Sequence, residues 1–177
     1  MSANPNPKLM AHMVAGYPDM ERSFEVARAL AEGGASYIEL QFPFSDPSAD
    51  GPAIQAACSA ALEGGFTVSG GFDLLDRIHR ELAPELFLMS YASPVFSRGV
   101  ERFVGQSAER GVTGLIVPDL PFDHDEGLYE AAAAAGVAPV PVAVVTLPER
   151  RLEAIMALEP RYLYASLRRG ITGSKTE

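Results

Sequence analysis

Apolar residues recur along the chain as six short runs, separated by longer stretches in which apolar residues have helical spacing. The runs cover 9–14, 37–42, 86–91, 112–117, 139–145 and 162–166. The helical stretches cover about 20–31, 52–63, 69–82, 100–110, 125–135 and 148–158. We expect Asp19 to cap the first of them and a loop to fill the interval between 91 and 100. Short apolar runs that alternate with helices predict a parallel β-sheet. Because no Gly-x-Gly-x-x-Gly motif follows the first run, the pattern favours a barrel over a doubly wound sheet.

The segment 37–55 holds the most informative pattern of the chain. In its first residues, Ile38, Leu40 and Phe42 alternate with Tyr37, Glu39 and Gln41. Glu39 therefore lies on the strand face opposite the apolar side chains. The strand stops at Pro43, which cannot continue a hydrogen-bonded ladder. A turn-rich loop then leads to a helix that begins near Pro52, with Asp50 just ahead of it.

Two carboxylates on one strand–helix unit suit acid–base chemistry. Enclosure inside a barrel would raise the pKa of Glu39, whereas the positive end of a helix would keep Asp50 ionised. Groups whose pKa values differ in this way can divide the acid and base roles at neutral pH. The alternative interpretation, of similar weight, is that Asp50 caps the helix and Glu39 is a buried polar group with satisfied hydrogen bonds.

Composition narrows the class of protein. The chain has 177 residues, which predicts a single domain over 1–177, and a formal net charge of −9. An acidic surface argues against binding to nucleic acid or to anionic membranes. Cys58 is the single cysteine, which excludes an internal disulfide and fits a reducing, cytoplasmic compartment. No stretch reaches transmembrane length.

Two classes of catalysis are disfavoured by the residues present. A Schiff-base enzyme needs a lysine inside the barrel, but the lysines are Lys8, at the start of the first strand, and Lys175, near the end of the chain. A metal-dependent enzyme needs clustered ligands, and His12, His79 and His124 lack ligand spacing. We therefore expect no metal site.

Residues 39–55 resemble the signature of the tryptophan synthase alpha chain family, I-E-L-G-x-P-F-S-D-P-x-A-D-G-P-x-I-Q. Further similarity follows in chain order over nearly the whole sequence. It lies at 15–19, 89–91, 94–96, 117–121 and 168–173. The resemblance implies an α/β fold of the TIM (β/α)8-barrel type, of which this chain contains about six βα units.

The resemblance also implies a reaction and a set of site residues. The reaction is the retro-aldol cleavage of indole-3-glycerol phosphate, with Glu39 as the acid–base residue and Asp50 facing the ring nitrogen of indole. Substrate-binding positions implied by the family are Ile54, Met89, Tyr91, Tyr164, Thr172 and Gly173. Asp46 and Asp119 would orient loops or contact a partner. Simpler alternatives remain: Tyr164 could fill the barrel interior, Thr172 and Gly173 could belong to a flexible tail, and Asp119 could cap a turn.

Partners and cofactors follow from the same resemblance. We expect a small-molecule substrate and a tryptophan synthase beta chain as partner. No cofactor is expected in this chain, because pyridoxal phosphate would belong to the beta chain.

The count of strands predicts an incomplete barrel, without the last two βα units and the N-terminal leading helix. The open edges, near 10–14 and 162–166, would then favour a homo-oligomer. Two further alternatives are a catalytically weak relative that serves as a partner-binding or structural module, and a piece of a longer gene product.

Four positions depart from the family pattern: Gln41 where glycine is usual, Ser93, Leu167 and His12. We expect Gln41 to fill the space above the Glu39 carboxylate or to hydrogen-bond to it. Crowding of this kind predicts that Gln41→Gly increases ligand binding or turnover.

Overall fold

The computed structural model describes residues 7–167 as an alternating series of strands and helices. The strands are β1 (Met10–Val14), β2 (Tyr37–Gln41), β3 (Glu85–Met89), β4 (Val112–Ile116), β5 (Ala138–Val140), β6 (Val142–Val144) and β7 (Tyr164–Ser166). The helices are α1 (Met20–Glu32), α2 (Pro52–Glu63), α3 (Val68–Glu81), α4 (Ala92–Arg98), α5 (Val100–Glu109), α6 (Leu128–Ala134) and α7 (Glu149–Met156).

All strand pairs of the described chain are parallel, and each pair joins two strands that are consecutive in the sequence. One sheet has the order β1-β2-β3-β4-β5, and a second sheet pairs β6 with β7. This sequential order is that of a (β/α) barrel and not of a doubly wound sheet, which reverses its order at a switch point.

The prediction of one strand over 139–145 is wrong, because Pro141 divides it into β5 and β6. Proline has no N–H group to donate to a ladder. The residues before it pair with β4, and those after it pair with β7. The Pro141 carbonyl accepts a hydrogen bond from the Tyr164 amide at 2.9 Å. The chain therefore passes from one sheet to the other at this proline.

Helix α4 is a second difference, because the sequence predicted a loop after β3. Pro94 is the third residue of α4, where a proline is tolerated since the first amides of a helix need no intrahelical acceptor. The first of these amides, Ala92 N–H, donates to Asp119 Oδ1 at 2.9 Å. By contrast, the Asp19 cap expected for α1 is confirmed, since its Oδ1 accepts from the Arg22 amide at 2.8 Å.

The strands separate two apolar layers. Side chains such as Ile38 and Leu88 pack outward against the helices. On the inner face, Phe87 lies edge-on to Tyr37 and Tyr162, with ring centroids 5.4 and 5.0 Å away. Gly114 makes room for this ring, since a Cβ there would lie 2.6 Å from Phe87. These aromatic rings fill the amino-terminal end of the barrel interior.

Large apolar side chains are exposed mainly in the last part of the described chain. Among the described strands, β1 pairs only with β2 and β7 only with β6, so both outer edges lack a partner strand. The exposed apolar residues after position 140 are Val144, Val145, Leu152, Met156, Leu158, Leu163, Tyr164 and Leu167. In the part of the chain that the structure describes, no helix has the length and apolar character needed to cross a bilayer.

Candidate active site

An open cavity of about 520 Å³ lies on the inner face of the strands. Its lining consists of Glu39, Ala49, Asp50, Met89, Ile116, Pro118, Val142, Val144, Leu163, Tyr164, Ala165 and Ser166. Most of these residues are at or beyond the carboxyl ends of their strands, which is where barrel enzymes bind substrate. Glu39 and Tyr164 are among the exceptions, because Glu39 is the central residue of β2 and Tyr164 the first of β7.

Glu39 is enclosed, with 4% of its surface exposed, and its carboxylate makes no hydrogen bond to another residue of 7–167. Burial raises the pKa of Glu39. The nearby His12 opposes this shift and the negative charge of Asp50 adds to it. The residue can therefore hold a proton closer to neutral pH than an exposed glutamate and can release it inside the cavity.

Asp50 is held by side chains and does not cap a helix. The N-cap of α2 is Gly51, and no side chain caps this helix, so the capping alternative is wrong. Asp50 Oδ2 instead accepts a hydrogen bond from Gln41 Nε2 at 2.6 Å and another from the Tyr91 hydroxyl at 2.9 Å. With 7% of its surface exposed, Asp50 is a buried carboxylate with two fixed donors.

Gln41 does not make the hydrogen bond to Glu39 that the sequence suggested. Its side chain is fully buried and is bonded at both ends, to Asp50 through Nε2 and to His12 through Oε1. The β2–α2 loop places Asp50 beside the carboxyl end of β2, where the Gln41 side chain donates a hydrogen bond to it. The expectation of a hydrogen bond to the Glu39 carboxylate is therefore wrong.

Tyr91 supports the Asp50 carboxylate and the loop that carries it. Its hydroxyl accepts from the Ala49 amide at 3.1 Å while donating to Asp50, and its ring stacks on Phe44 at 5.2 Å. Burial and the Asp50 carboxylate raise the pKa of Tyr91, so the phenol keeps the proton that it donates. In the described structure Tyr91 is behind the cavity wall rather than in its lining.

Tyr164 and Met89, for which the family resemblance implies a substrate-binding role, border the cavity directly. Tyr164 faces the two carboxylates across the cavity, and burial together with the charges of Glu39 and Asp50 raises its pKa. Its hydroxyl is therefore neutral at physiological pH, and its ring forms part of the wall opposite Glu39.

Three other predicted residues lie away from the cavity. Ile54 packs with the small apolar cluster around Cys58 and is not part of the described lining. Asp46 is exposed in the β2–α2 loop, where it accepts from Ser45 Oγ at 2.5 Å. Asp119 bonds the start of α4, so it orients the β3–α4 turn. Thr172 and Gly173 lie outside the described residues.

Sequence reasoning missed the partnership of His12 and Gln41 with Asp50. A signal was present, because His12 and Gln41 both alternate with core residues and therefore face the interior of the barrel. Which carboxylate they would meet depends on the path of the β2–α2 loop. Within residues 7–167, no group of three or more histidine, cysteine, aspartate or glutamate side chains is arranged to hold a metal ion.

Comparison with known proteins identifies the family. The profile of the tryptophan synthase alpha chain family matches residues 1–177. The tryptophan synthase alpha chain of Helicobacter hepaticus is 38% identical over 182 residues, covering 99% of this chain and 68% of the relative. That of Prochlorococcus marinus is 40% identical and covers 95% of this chain and 61% of the relative.

Solved structures of tryptophan synthases are also similar to this chain. Mycobacterium tuberculosis tryptophan synthase aligns with a TM-score of 0.91 at 32% identity, over 98% of this chain and 67% of the other. The tryptophan synthase complex of Pyrococcus furiosus aligns with a TM-score of 0.84 at 33% identity, over 89% and 65%. The chain thus spans about two thirds of the length of the relatives it matches. It belongs to the tryptophan synthase alpha chain family and has the TIM-barrel fold of that family over the units present.

Proposed function

We propose that this chain is a carbon–carbon lyase of tryptophan biosynthesis, which cleaves indole-3-glycerol phosphate to indole and glyceraldehyde 3-phosphate. The observation that carries the proposal is the pair of carboxylates in one cavity, Glu39 with a raised pKa and Asp50 with fixed hydrogen-bond donors. A cavity of about 520 Å³ with a mainly apolar lining is of a size that suits a small aromatic ligand.

Each carboxylate has a separate task in the proposed reaction. Glu39 protonates the indole carbon that bears the glycerol phosphate chain, and the bond between that carbon and the chain then breaks. The Glu39 carboxylate takes the proton of the adjacent hydroxyl group, whose carbon becomes the aldehyde of glyceraldehyde 3-phosphate. Asp50 accepts a hydrogen bond from the N–H group of the indole ring and stabilises the positive charge that develops on this nitrogen.

The remaining substrate contacts and partners belong to the same proposal. Met89 and Tyr164 would contact the indole ring, and Tyr91 would act through Asp50, while the roles of Ile54, Thr172 and Gly173 are carried over from the family. A beta chain would receive the indole and would hold the pyridoxal phosphate, so this chain would need no cofactor of its own. Asp46 and Asp119, on loops at the cavity end of the strands, are the proposed partner-facing residues. We also propose a cytoplasmic location, in line with the unpaired Cys58.

The exposed apolar surface supports one further proposal, the association of this chain with other copies of itself. The open edges of β1 and β7 and the apolar side chains near β7 would be covered in such an assembly. The same surface could instead be covered by the beta chain, so the oligomeric state should be measured with and without that partner.

The proposed activity is tested by product formation from indole-3-glycerol phosphate, using protein of verified intact mass. From the chain alone we expect indole and glyceraldehyde 3-phosphate in equal amounts, and we expect faster formation of glyceraldehyde 3-phosphate when a beta chain is added. Asp50→Asn should lower the rate by about 100-fold, the usual cost of losing one stabilising group for transition-state charge. Asp76→Asn, which removes an aspartate paired with Arg80 on α3, is the matched control and should leave the rate unchanged.

The absence of indole under all conditions would contradict the proposal. If the same protein nevertheless bound a beta chain, its role would be that of a partner-binding module.

A further inference from the structure

A chain of hydrogen bonds crosses the inner face of the barrel and ends at Asp50. His12 Nε2 lies 2.7 Å from Gln41 Oε1, and Gln41 Nε2 lies 2.6 Å from Asp50 Oδ2. The Tyr91 hydroxyl donates to the same Asp50 oxygen from the other side at 2.9 Å. The chain therefore connects β1, the end of β2, the β2–α2 loop and Tyr91, which lies two residues after β3 and directly before α4.

Elementary chemistry fixes the direction of each bond. An ionised carboxylate can only accept, so the amide nitrogen of Gln41 must face Asp50 and its oxygen must face His12. An amide oxygen also only accepts, so the proton between the two side chains belongs to His12 Nε2. The tautomer of His12 thus follows from the charge of Asp50, through Gln41.

The bonds leave Asp50 with one occupied and one available oxygen. Both side-chain donors meet Oδ2, and within residues 7–167 no donor is bonded to Oδ1. Two donors at one oxygen fix the rotation of the carboxylate about its Cβ–Cγ bond. A ligand N–H can then meet Oδ1 in a defined orientation, without the cost of ordering the carboxylate first.

We propose that Gln41 and His12 are positioning residues for Asp50, with His12 holding the Gln41 amide and Gln41 holding the carboxylate towards the indole nitrogen. This inference rests on the proposed role of Asp50 in the lyase reaction. It reverses the effect expected from crowding, because removal of the Gln41 side chain should now lower turnover.

A purely structural role for Gln41 makes different predictions. Gln41 is fully buried and also lies 3.6 Å from Cys58 Sγ, so an apolar side chain of similar size would fill the same space. If packing were its only task, Gln41→Leu would preserve turnover in the folded protein. If positioning is its task, Gln41→Leu should lower kcat with little change in KM, because the interaction with the ring nitrogen strengthens in the transition state.

The kinetic test compares Gln41→Leu, His12→Phe and the double variant. Loss of a hydrogen bond to a charged group should lower kcat by about 10- to 100-fold in Gln41→Leu. His12→Phe should cost less, and the double variant should be no worse than Gln41→Leu, since His12 acts through Gln41. Gln106→Leu, the same exchange on α5 outside the cavity, is the matched control and should keep the wild-type kcat.

A second measurement tests the hydrogen bond between His12 and Gln41 and does not require catalytic activity. Nitrogen-15 NMR of the histidine rings at about pH 8, where an ordinary imidazole is neutral, should show His12 protonated at Nε2 in the wild type. The hydrogen bond to Gln41 Oε1 moves the resonance of this Nε2 proton downfield, and this downfield shift should be lost in Gln41→Leu and kept in Gln106→Leu. If the wild type forms no indole but shows this pattern, the proposed function fails while the hydrogen-bond chain stands.

Two results would overturn the inference. One is a wild-type His12 that lacks the Nε2 proton. The other is a folded Gln41→Leu variant that turns over as fast as, or faster than, an active wild type.

Discussion

The first region of the molecule, from β1 to β4 (10–116), and the second region, from β5 to β7 (138–166), both have strands of apolar sequence. The two regions differ in how far their apolar side chains are buried. Strands β1 to β4 have five residues each and lie between an outer layer of helices and an inner layer of side chains. Strands β5, β6 and β7 have three residues each, and most exposed apolar side chains lie near them. An apolar strand pattern therefore secures burial only where neighbouring elements cover both of its faces.

The candidate site joins these two regions. Glu39, Asp50 and Met89 come from the first region, whereas Val144 and Tyr164 come from the second. Glu39 thus stands on a well-packed strand and Asp50 on the loop that follows it, whereas the opposite wall of the cavity stands on the less covered strands. This division predicts that stability and acid–base chemistry depend on the first region, and that association depends on the second.

The largest effect is expected for Phe42→Ala in the first region. Phe42 is fully buried, and its ring packs edge-on against Phe66, Phe72 and Phe103. Truncation of such a ring should lower the free energy of unfolding in urea by about 3–5 kcal/mol. The control in the second region is Leu158→Ala, at a side chain that is 51% exposed, with an expected change within about 0.5 kcal/mol. Similar losses in both variants would refute the contrast in packing.

A pH-dependent effect is expected for Glu39→Gln. Because burial raises the pKa of Glu39 in the folded state, the native protein binds this proton more tightly than the unfolded chain does. Wild-type stability should therefore fall, relative to Glu39→Gln, as pH rises above about 4.5, with a slope of at most about 1.4 kcal/mol per pH unit for one group.

Urea unfolding of both proteins at about pH 4 and pH 7 measures this difference. Glu153→Gln, on the exposed face of α7, is the charge-matched control. A stability difference between wild type and Glu39→Gln that stays constant across the range would show that Glu39 is not desolvated in the folded protein.

The smallest effect on stability, but a clear one on association, is expected for Leu158→Lys. Its side chain is exposed near the second region, so the free energy of unfolding should change by less than about 0.5 kcal/mol. If copies of the chain associate through this region, a lysine there should shift the mass measured by light scattering towards the monomer. Val26→Lys, at an exposed apolar position on α1, should leave the mass unchanged.

Much of the fold was predictable because periodicity reports burial. The alternation in β2 and the capping aspartate of α1 gave the correct elements within a residue or two. The division of the fifth apolar run and the presence of α4 could not be predicted from periodicity. Pro141 divides a continuous apolar run, and α4 begins in a sequence typical of a loop, because its first amide finds an acceptor in Asp119, 27 residues away in the chain.

The site was predictable in its residue types but not in its hydrogen bonds. Glu39 and Asp50 were placed on one strand–helix unit, and they share a cavity. The partners of Asp50 depend on the return of the β2–α2 loop and on the register that sets His12 beside Glu39. Both are tertiary features, so Gln41 was assigned to the wrong carboxylate.

We propose that the chemistry depends on the first region and that the second region only shapes the cavity. The most direct measurement is the rate of indole formation from indole-3-glycerol phosphate by Glu39→Gln and by Tyr164→Phe, each confirmed to be folded. Loss of the acid–base group should lower the rate of Glu39→Gln by about 10²- to 10⁴-fold. Tyr164→Phe keeps the ring in the cavity wall and should stay within about 10-fold of wild type. An unchanged rate in Glu39→Gln, or an equal loss in Tyr164→Phe, would contradict the claim.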